Sequence, residues 1–307
     1  MFATLLLPLA NAQSQDISSF WRSTLSRLAS EPLEVTVEDT REPLPYKKYR
    51  VEYRSLGGVR VRAYLAVPIR GGQTPRPFPA VVTAPGYGGS QQGIMLDECQ
   101  RGYVILQVFP RSQGPSEELW KIDGPDKLTW KLAQPDGAYY QGAYSDVIRG
   151  VDYLLTRDDI DRERIAIAGT SQGGGIALAV ASLDPRIKAV VAHVPFLCDV
   201  RRASRTEGSL IKKLLDDARM NDDPHLRVLE YFDPLQLVPA LKAPALVSSG
   251  GKDAVCPAET IRAVFDRIPA VKSLFHDPEL PHTSSESFYT MTWNWLDAHV
   301  GRASSRN

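Results

Sequence analysis

Three side chains in this 307-residue sequence have the chemistry of a nucleophile, a base and a base-orienting acid. The first, Ser171, lies in the Gly-Thr-Ser-Gln-Gly sequence at 169–173, between an apolar run at 165–168 and a helix-like run at 176–183. A strand that turns into a helix so quickly needs a strained turn, and glycines on either side of the serine make room for it. We therefore predict that Ser171 is a nucleophile, although the same glycines would suit a turn whose serine caps a helix.

The base and the acid are expected after later strands. A serine hydroxyl is a weak nucleophile at neutral pH, so a base must accept its proton and a carboxylate must orient that base. Asp253 follows the apolar run 245–247 and a Gly-Gly turn, and His282 lies in a loop after the apolar run 272–275. Because Ser, Asp, His is the α/β-hydrolase order, we predict that Asp253 is the triad acid and His282 the base.

Other candidates for these two roles have less favourable positions. His276 follows the last predicted strand too closely to be in its loop, and His193 lies within or at the end of a strand. His225 and His299 fall in polar helical segments, and Asp266 lies on a predicted helix. We predict structural or solvent-facing roles for all five.

An oxyanion hole is predicted from two backbone N–H groups. One belongs to Gln172, the residue after the candidate nucleophile, and the other to a loop after an early strand. The glycine-rich segment 83–89 is that loop, and Tyr87 is its best donor because the neighbouring glycines let the backbone approach a substrate. A simple glycine turn is the competing interpretation.

The elements that must position these residues follow from hydrophobic patterns. Residues 48–68 alternate apolar and polar around Gly57-Gly58, which predicts an antiparallel hairpin. Five apolar runs then predict buried strands, and helical patterns lie between several of them and after the last; the runs are 80–83, 103–108, 165–168, 189–192 and 245–247. This alternation predicts an α/β fold with a mostly parallel central sheet and helices on both faces.

Two segments depart from this alternation. Residues 112–143 are rich in Gly, Pro, Trp and Tyr without a sustained period, and residues 199–231 are charged and helical. Both are candidate lids over the site, and loops packed on the surface are the alternative.

Composition restricts the partners of the chain. The 36 basic and 36 acidic residues give a formal net charge of zero, so no basic field attracts nucleic acid or an anionic membrane. The length is ample for one α/β domain, which we assign to residues 13–307; two domains are not needed. The expected partner is a neutral small molecule or polymer.

The N-terminus resembles a shortened leader. An apolar run at 2–9 precedes Ala10-Asn11-Ala12, which has the form of a signal-peptidase site. We predict that residues 1–12 are a truncated signal peptide and that the protein is periplasmic or secreted. An apolar tail on a cytoplasmic enzyme is the alternative.

The sequence gives little support for a metal site or for a disulfide framework. Cys99, Cys198 and Cys256 are too few and scattered for a disulfide framework, although one Cys198–Cys256 bridge stays open. Zinc-binding spacings are absent from the sequence, and the five histidines are isolated. We expect no metal and no cofactor.

Several motifs together resemble the acetyl xylan esterase and cephalosporin-C deacetylase family, carbohydrate esterase family seven, over residues 32–298. They are the segments 86–90, 111–114, 169–174, 194–199, 231–233 and 253–257, followed by His282. The resemblance implies an α/β-hydrolase fold, a Ser171–His282–Asp253 triad and an oxyanion hole at Tyr87 and Gln172. It also implies that Arg111 and Gln113 brace the site, and that the protein assembles into hexameric rings.

Two positions depart from the family pattern. The family's Arg-Gly-Gln is Arg111-Ser112-Gln113 here, and the glutamate that usually follows the histidine is Thr283. A serine adds a Cβ where glycine relieves strain, and Thr283 removes a carboxylate beside the base. We expect a divergent member.

The predicted function is carboxylic ester hydrolysis that removes acetyl groups from carbohydrate or small-molecule esters through an acyl-enzyme. A serine peptidase of the prolyl-oligopeptidase type is one alternative, although such enzymes usually carry a large β-propeller. A hydrolase-fold protein that binds a ligand without turnover is the other.

Overall fold

The computed structural model describes residues 6–69, 77–90, 93–283 and 285–301, with side chains from residue 13 onwards. Strands in this part of the chain are β1 Thr36–Asp39, β2 Tyr46–Arg54, β3 Arg60–Pro68, β4 Phe78–Ala84, β5 Val104–Phe109, β6 Ile160–Thr170, β7 Ala189–His193, β8 Ala245–Gly250 and β9 Lys272–Asp277. Its α-helices are α1 Leu6–Ser30, α2 Tyr139–Leu155, α3 Gln172–Leu183, α4 Val200–Ala203, α5 Leu210–Asp217, α6 Asp223–Leu229, α7 Pro234–Leu237, α8 Ala258–Arg267 and α9 Glu286–His299.

The strands form one sheet in the order β1-β2-β3-β5-β4-β6-β7-β8-β9. Strands β1, β2 and β3 pair antiparallel in turn, and β3 pairs antiparallel with β5. The remaining neighbouring pairs, β5–β4, β4–β6, β6–β7, β7–β8 and β8–β9, are parallel. The predicted hairpin and each predicted parallel strand are therefore confirmed. Edge strand β1 adds a pairing that the sequence patterns did not predict.

Alternate residues of the central strands enter two separate cores. Val82 of β4 and Ile167 of β6 join the core that contains α2, α3 and α8, whereas Val81 and Ala166 join the core that contains α9. Strands buried on both faces need apolar residues at every position, which explains the continuous apolar runs. The predicted mostly parallel sheet with helices on both faces is confirmed.

Helix α2 begins earlier than the hydrophobic pattern indicated. It starts at Tyr139, inside the segment 112–143, where the sequence shows no sustained period. The phenol of Tyr139 donates to the Arg111 carbonyl and that of Tyr140 to the Gln172 amide oxygen. These buried tyrosines face partners distant in sequence, so a local pattern does not reveal their helix.

Helix α1 packs against the rest of the molecule. Ile17, Trp21, Thr24 and Leu28 are buried along one face at helical spacing. The Trp21 indole stacks on Tyr144 and donates to the Tyr231 carbonyl at 2.7 Å.

Residues 1–5 of the predicted leader lie outside the described residues, and a cut after residue 12 would leave the buried face of α1 intact. None of the described helices has the length and apolar character to cross a bilayer.

Candidate functional site

Ser171 lies on the turn between β6 and α3. Its backbone has φ 56° and ψ −120°, a strained conformation for a residue with a side chain. A Cβ on Gly169 would lie 2.3 Å from the Gly173 carbonyl carbon, and a Cβ on Gly173 would lie 2.3 Å from the Ala84 carbonyl oxygen. Only glycine fits both positions, so the two glycines make this tight turn sterically possible.

The end of β7 holds the turn in place. The Ser171 N–H donates to the His193 carbonyl at 2.9 Å, and the Ser171 carbonyl accepts from the Phe196 N–H at 2.9 Å. These bonds engage both backbone polar groups of the strained residue. They offset part of the roughly 1–3 kcal/mol that such a conformation costs.

His282 bridges Ser171 and Asp253. Its Nε2 lies 3.0 Å from the Ser171 Oγ, and its Nδ1 lies 2.7 Å from an Asp253 carboxylate oxygen. Because an ionised carboxylate only accepts hydrogen bonds, the imidazole hydrogen sits on Nδ1 and leaves the Nε2 lone pair for the serine proton. The structure thus brings together the three residues predicted from sequence, in the arrangement that proton transfer from Ser171 requires.

Each of these side chains projects from the carboxyl edge of the sheet. Ser171 follows β6, Asp253 follows β8 and His282 follows β9. The second carboxylate oxygen of Asp253 accepts from the Cys256 N–H at 2.8 Å, which orients the acid. Asp253 is buried, and the His282 side chain is 23% exposed, so the base is accessible from solvent.

The other histidines considered as the base, and Asp266 considered as the acid, lie outside the serine–histidine–aspartate chain. His193 is the one of these that contacts the loop of His282. His276 belongs to β9, His225 to α6, His299 to α9, and Asp266 pairs with Arg262 on α8. His193 is the last residue of β7, and its ring contacts the loop that carries His282.

A buried chain of amides fixes the two segments predicted to form the oxyanion hole. The Gln172 side chain donates to the Gln113 amide oxygen at 2.7 Å, and the Gln113 amide donates to the carbonyls of Gly86 and Tyr87 at 3.2 and 3.1 Å. Gln172 is the first residue of α3, where backbone N–H groups have no partner within the helix. Gln113 therefore braces the candidate oxyanion loop directly.

The Tyr87 ring is locked between two parts of the chain. Its hydroxyl donates to Asp126 at 2.5 Å and accepts from the Leu128 N–H at 3.0 Å, while its ring packs edge-on against Phe196. Burial raises the pKa of this phenol, so the hydroxyl stays neutral and can donate to Asp126. The segment 112–143 is thereby anchored to the oxyanion loop.

The Arg111 side chain forms its hydrogen bonds with residues other than the candidate triad. Its guanidinium forms two hydrogen bonds to buried Asp146, at 3.0 and 2.7 Å, and a third to the Leu56 carbonyl at 3.0 Å. These partners lie away from the serine–histidine pair. Arg111 therefore ties the start of the 112–143 segment to α2, and the bracing role that the resemblance implies stays a prediction.

Of the two departures from the family pattern, Ser112 has a local explanation, whereas nothing in the structure explains the threonine at 283. Ser112 has φ 59°, in the region that favours glycine, and its hydroxyl accepts from the Ile122 N–H at 3.2 Å. The Thr283 N–H donates to the Pro281 carbonyl at 2.8 Å, which closes a tight turn around His282. The Thr283 carbonyl accepts from the His193 ring at 3.1 Å.

Cys256 also lies beside the candidate triad, although the sequence patterns assign it no role in the site. Its sulfur lies within 4.8 Å of ligand atoms of Asp253 and His282, which makes this trio the candidate metal cluster of the described residues. Burial raises the pKa of the thiol well above its usual range, which disfavours the thiolate that binds metals. The thiols of Cys198 and Cys256 are both free, so the bridge that the sequence left open is not formed.

Comparisons with known proteins agree with this geometry. The family described as acetyl xylan esterase (AXE1) matches residues 9–299. The acetyl esterase Axe7A of Xylanibacter ruminicola is 26% identical over 97% of this chain and 70% of its own length. The acetyl xylan esterase from Paenibacillus sp. R4 superposes with a TM-score of 0.83 at 28% identity, covering 92% of this chain and 94% of that one.

A more distant solved structure shares the α/β-hydrolase fold. An acylaminoacyl peptidase from Pyrococcus horikoshii has a TM-score of 0.66 at 18% identity and matches 86% of this chain but only 43% of its own. That likeness is restricted to the α/β-hydrolase architecture.

Proposed function

Because this chain belongs to the acetyl xylan esterase family and is a carboxylic ester hydrolase, we propose that Ser171, His282 and Asp253 form its catalytic triad. The observation that supports this assignment is the continuous hydrogen-bonded chain from the Ser171 hydroxyl through both ring nitrogens of His282 to Asp253. It has the order and tautomer that serine acyl transfer needs.

Acylation begins when the Ser171 oxygen attacks the ester carbonyl carbon and its proton passes to His282 Nε2. The N–H groups of Tyr87 and Gln172 are proposed to stabilise the resulting oxyanion. The tetrahedral intermediate then expels the alcohol, which takes the proton from His282. An acetyl-Ser171 ester remains.

Deacylation repeats these steps with water. His282 accepts a proton from the attacking water, and the second intermediate collapses to acetate while the proton returns to Ser171. Asp253 stays ionised and stabilises the imidazolium that forms in both halves.

We propose acetylated carbohydrates as the substrates. The proposal is supported by the family and by two relatives named as acetyl or acetyl xylan esterases. A neutral polymer also suits a chain without net charge. The segments 112–143 and 199–231 are proposed to select the alcohol portion, and a panel of acetylated sugars and oligosaccharides tests that selectivity.

Substitution of the triad tests the mechanism. Ser171→Ala and His282→Ala should each lower p-nitrophenyl acetate hydrolysis by several orders of magnitude, up to about 10⁶, because the residues act as one unit. Asp253→Asn should lose somewhat less. Circular dichroism serves as the control for folding. If His282→Ala keeps more than about a tenth of the activity while a phosphonate still labels Ser171, another base must be assigned.

A further inference from the structure

The loop that carries His282 is fixed by a backbone contact before the histidine and by a side-chain contact after it. On the N-terminal side, the Leu280 carbonyl accepts from the Lys252 N–H at 3.1 Å and packs so closely on Gly250 that a Cβ there would lie 2.3 Å away. On the C-terminal side, the Thr283 carbonyl accepts from the His193 ring at 3.1 Å. The catalytic base thus lies between a backbone anchor and a side-chain anchor.

The partners of the His193 ring determine its tautomer. A carbonyl oxygen can only accept, so Nε2 carries the hydrogen that is donated to Thr283. The Nδ1 lone pair then accepts from the Ser248 hydroxyl at 2.5 Å, and the Ser248 oxygen accepts from the Val194 N–H at 3.0 Å. The ring also stacks on Phe288 with a centroid distance of 4.6 Å, so its position and orientation are both set.

The same residue contacts the nucleophile through its backbone. The His193 carbonyl accepts from the Ser171 N–H at 2.9 Å. One residue at the end of β7 therefore touches the turn that presents the nucleophile and the loop that presents the base. The Ser171–His282 distance of 3.0 Å depends on the relative position of these two segments.

We propose that His193 is a positioning residue that holds the His282 loop in register with Ser171. Its imidazole fixes the loop at Thr283, while its carbonyl fixes the serine turn. The proposal rests on the triad assigned above. Loss of the ring contact should let His282 shift, and misplacement of a catalytic group by about 1 Å can cost about a hundredfold in rate.

Two amide substitutions separate the contacts of the ring. Asparagine places its amide near the level of Nδ1, so His193→Asn can still bond Ser248 but cannot reach Thr283. Glutamine is longer and places an N–H near Nε2, so His193→Gln keeps the Thr283 bond and gives up the Ser248 bond. The pair therefore distinguishes the loop contact from the strand contact without introducing a charge.

The kinetic expectation differs for the two variants. His193→Asn should lower kcat for p-nitrophenyl acetate by about 10- to 100-fold with KM changed less than about threefold, because the defect lies in alignment of reacting groups. His193→Gln and the control Ser248→Ala should stay within about fivefold of wild type.

Two results would overturn the positioning role. One is a folded His193→Asn protein whose kcat lies within about threefold of wild type, and the other is an equal loss in the Gln and Asn variants. If His193→Asn is insoluble, His193→Leu replaces it, since an apolar side chain suits the Phe288 contact, and the same criteria apply.

Ser171→Ala is assayed in parallel. Full activity of that variant overturns the proposed nucleophile, whereas an inactive Ser171→Ala beside a fully active His193→Asn overturns only the positioning role.

Discussion

At the scale of single residues, Ser112 shows how a position that favours glycine accommodates a side chain. Its positive φ costs about 1–2 kcal/mol relative to glycine, and the hydrogen bond from the Ile122 N–H offsets about 0.5–1.5 kcal/mol. We expect Ser112→Gly to change the free energy of unfolding by less than about 1 kcal/mol and Ser112→Ala to lower it by about 1 kcal/mol. Urea unfolding of the wild type, Ser112→Gly and Ser112→Ala measures these free energies. A Ser112→Ala variant as stable as wild type would contradict the prediction.

Tyr87 leads to a prediction about the acyl group. Its ring cannot swing aside because Asp126 and Leu128 hold its hydroxyl and Phe196 packs against the ring. We expect this ring to limit the acyl pocket, so that kcat/KM for p-nitrophenyl acetate exceeds that for the butyrate by at least about tenfold, since a clash can exceed the 1–3 kcal/mol that one methylene contributes. The octanoate extends the series. Efficiency that is equal or rises with chain length would contradict the prediction.

At the scale of secondary-structure elements, the Arg111–Asp146 pair joins the end of β5 to α2. Both side chains are buried, and removal of one charge leaves the other without compensation. We expect Asp146→Ala to lower the free energy of unfolding by about 3–5 kcal/mol, and the double substitution Arg111→Met with Asp146→Leu to lower it much less.

An exposed pair provides the matched control for this prediction. Lys213 and Asp217 lie four residues apart on α5, with side chains 69% and 64% exposed. Asp217→Ala should lower the free energy of unfolding far less than Asp146→Ala does, because water screens the exposed interaction. Denaturant unfolding of all the variants is the measurement, and equal losses for the buried and exposed pairs would refute the argument.

At the scale of the whole molecule, His193 couples folding to pH. Burial lowers the pKa of its ring from 6.5 to about 4, so the unfolded chain binds the proton more tightly than the folded protein does. The resulting stabilisation is fully present above pH 6.5 and is lost as the pH falls towards 4. Its upper limit is about 3.5 kcal/mol, from the shift of about 2.5 pKa units at about 1.4 kcal/mol per unit.

Comparison with His193→Gln separates the contribution of His193 to the pH dependence of unfolding from that of the other titratable groups. Asp233, whose pKa burial raises to about 7, contributes to the pH dependence with the opposite sign in both proteins. We expect the wild-type free energy of unfolding to fall more steeply between pH 6.5 and 4 than that of the variant. Identical slopes in urea titrations across this range would show that the His193 pKa is not lowered.

Local sequence patterns were sufficient to predict the central strands, the turn at Ser171 and the order of the candidate triad. Short-range constraints determine these features: continuous apolar runs form buried strands, and glycines on either side of a serine permit a strained turn. Helix α1 also has a signal in the sequence, because Ile17, Trp21 and Leu28 recur at helical spacing.

The tertiary structure decided how distant residues combine. The His193 ring meets the carbonyl of Thr283, 90 positions away, and Arg111 meets Asp146, 35 positions away. Neither contact follows from spacing, because the distance between side chains on different elements depends on strand order and on the packing of loops against the sheet edge. Sequence alone therefore determined which residues have the chemistry for ester hydrolysis and which strands carry them. Only the folded chain determined which neighbours hold those residues at hydrogen-bonding distance, because that geometry depends on the packing of the whole sheet.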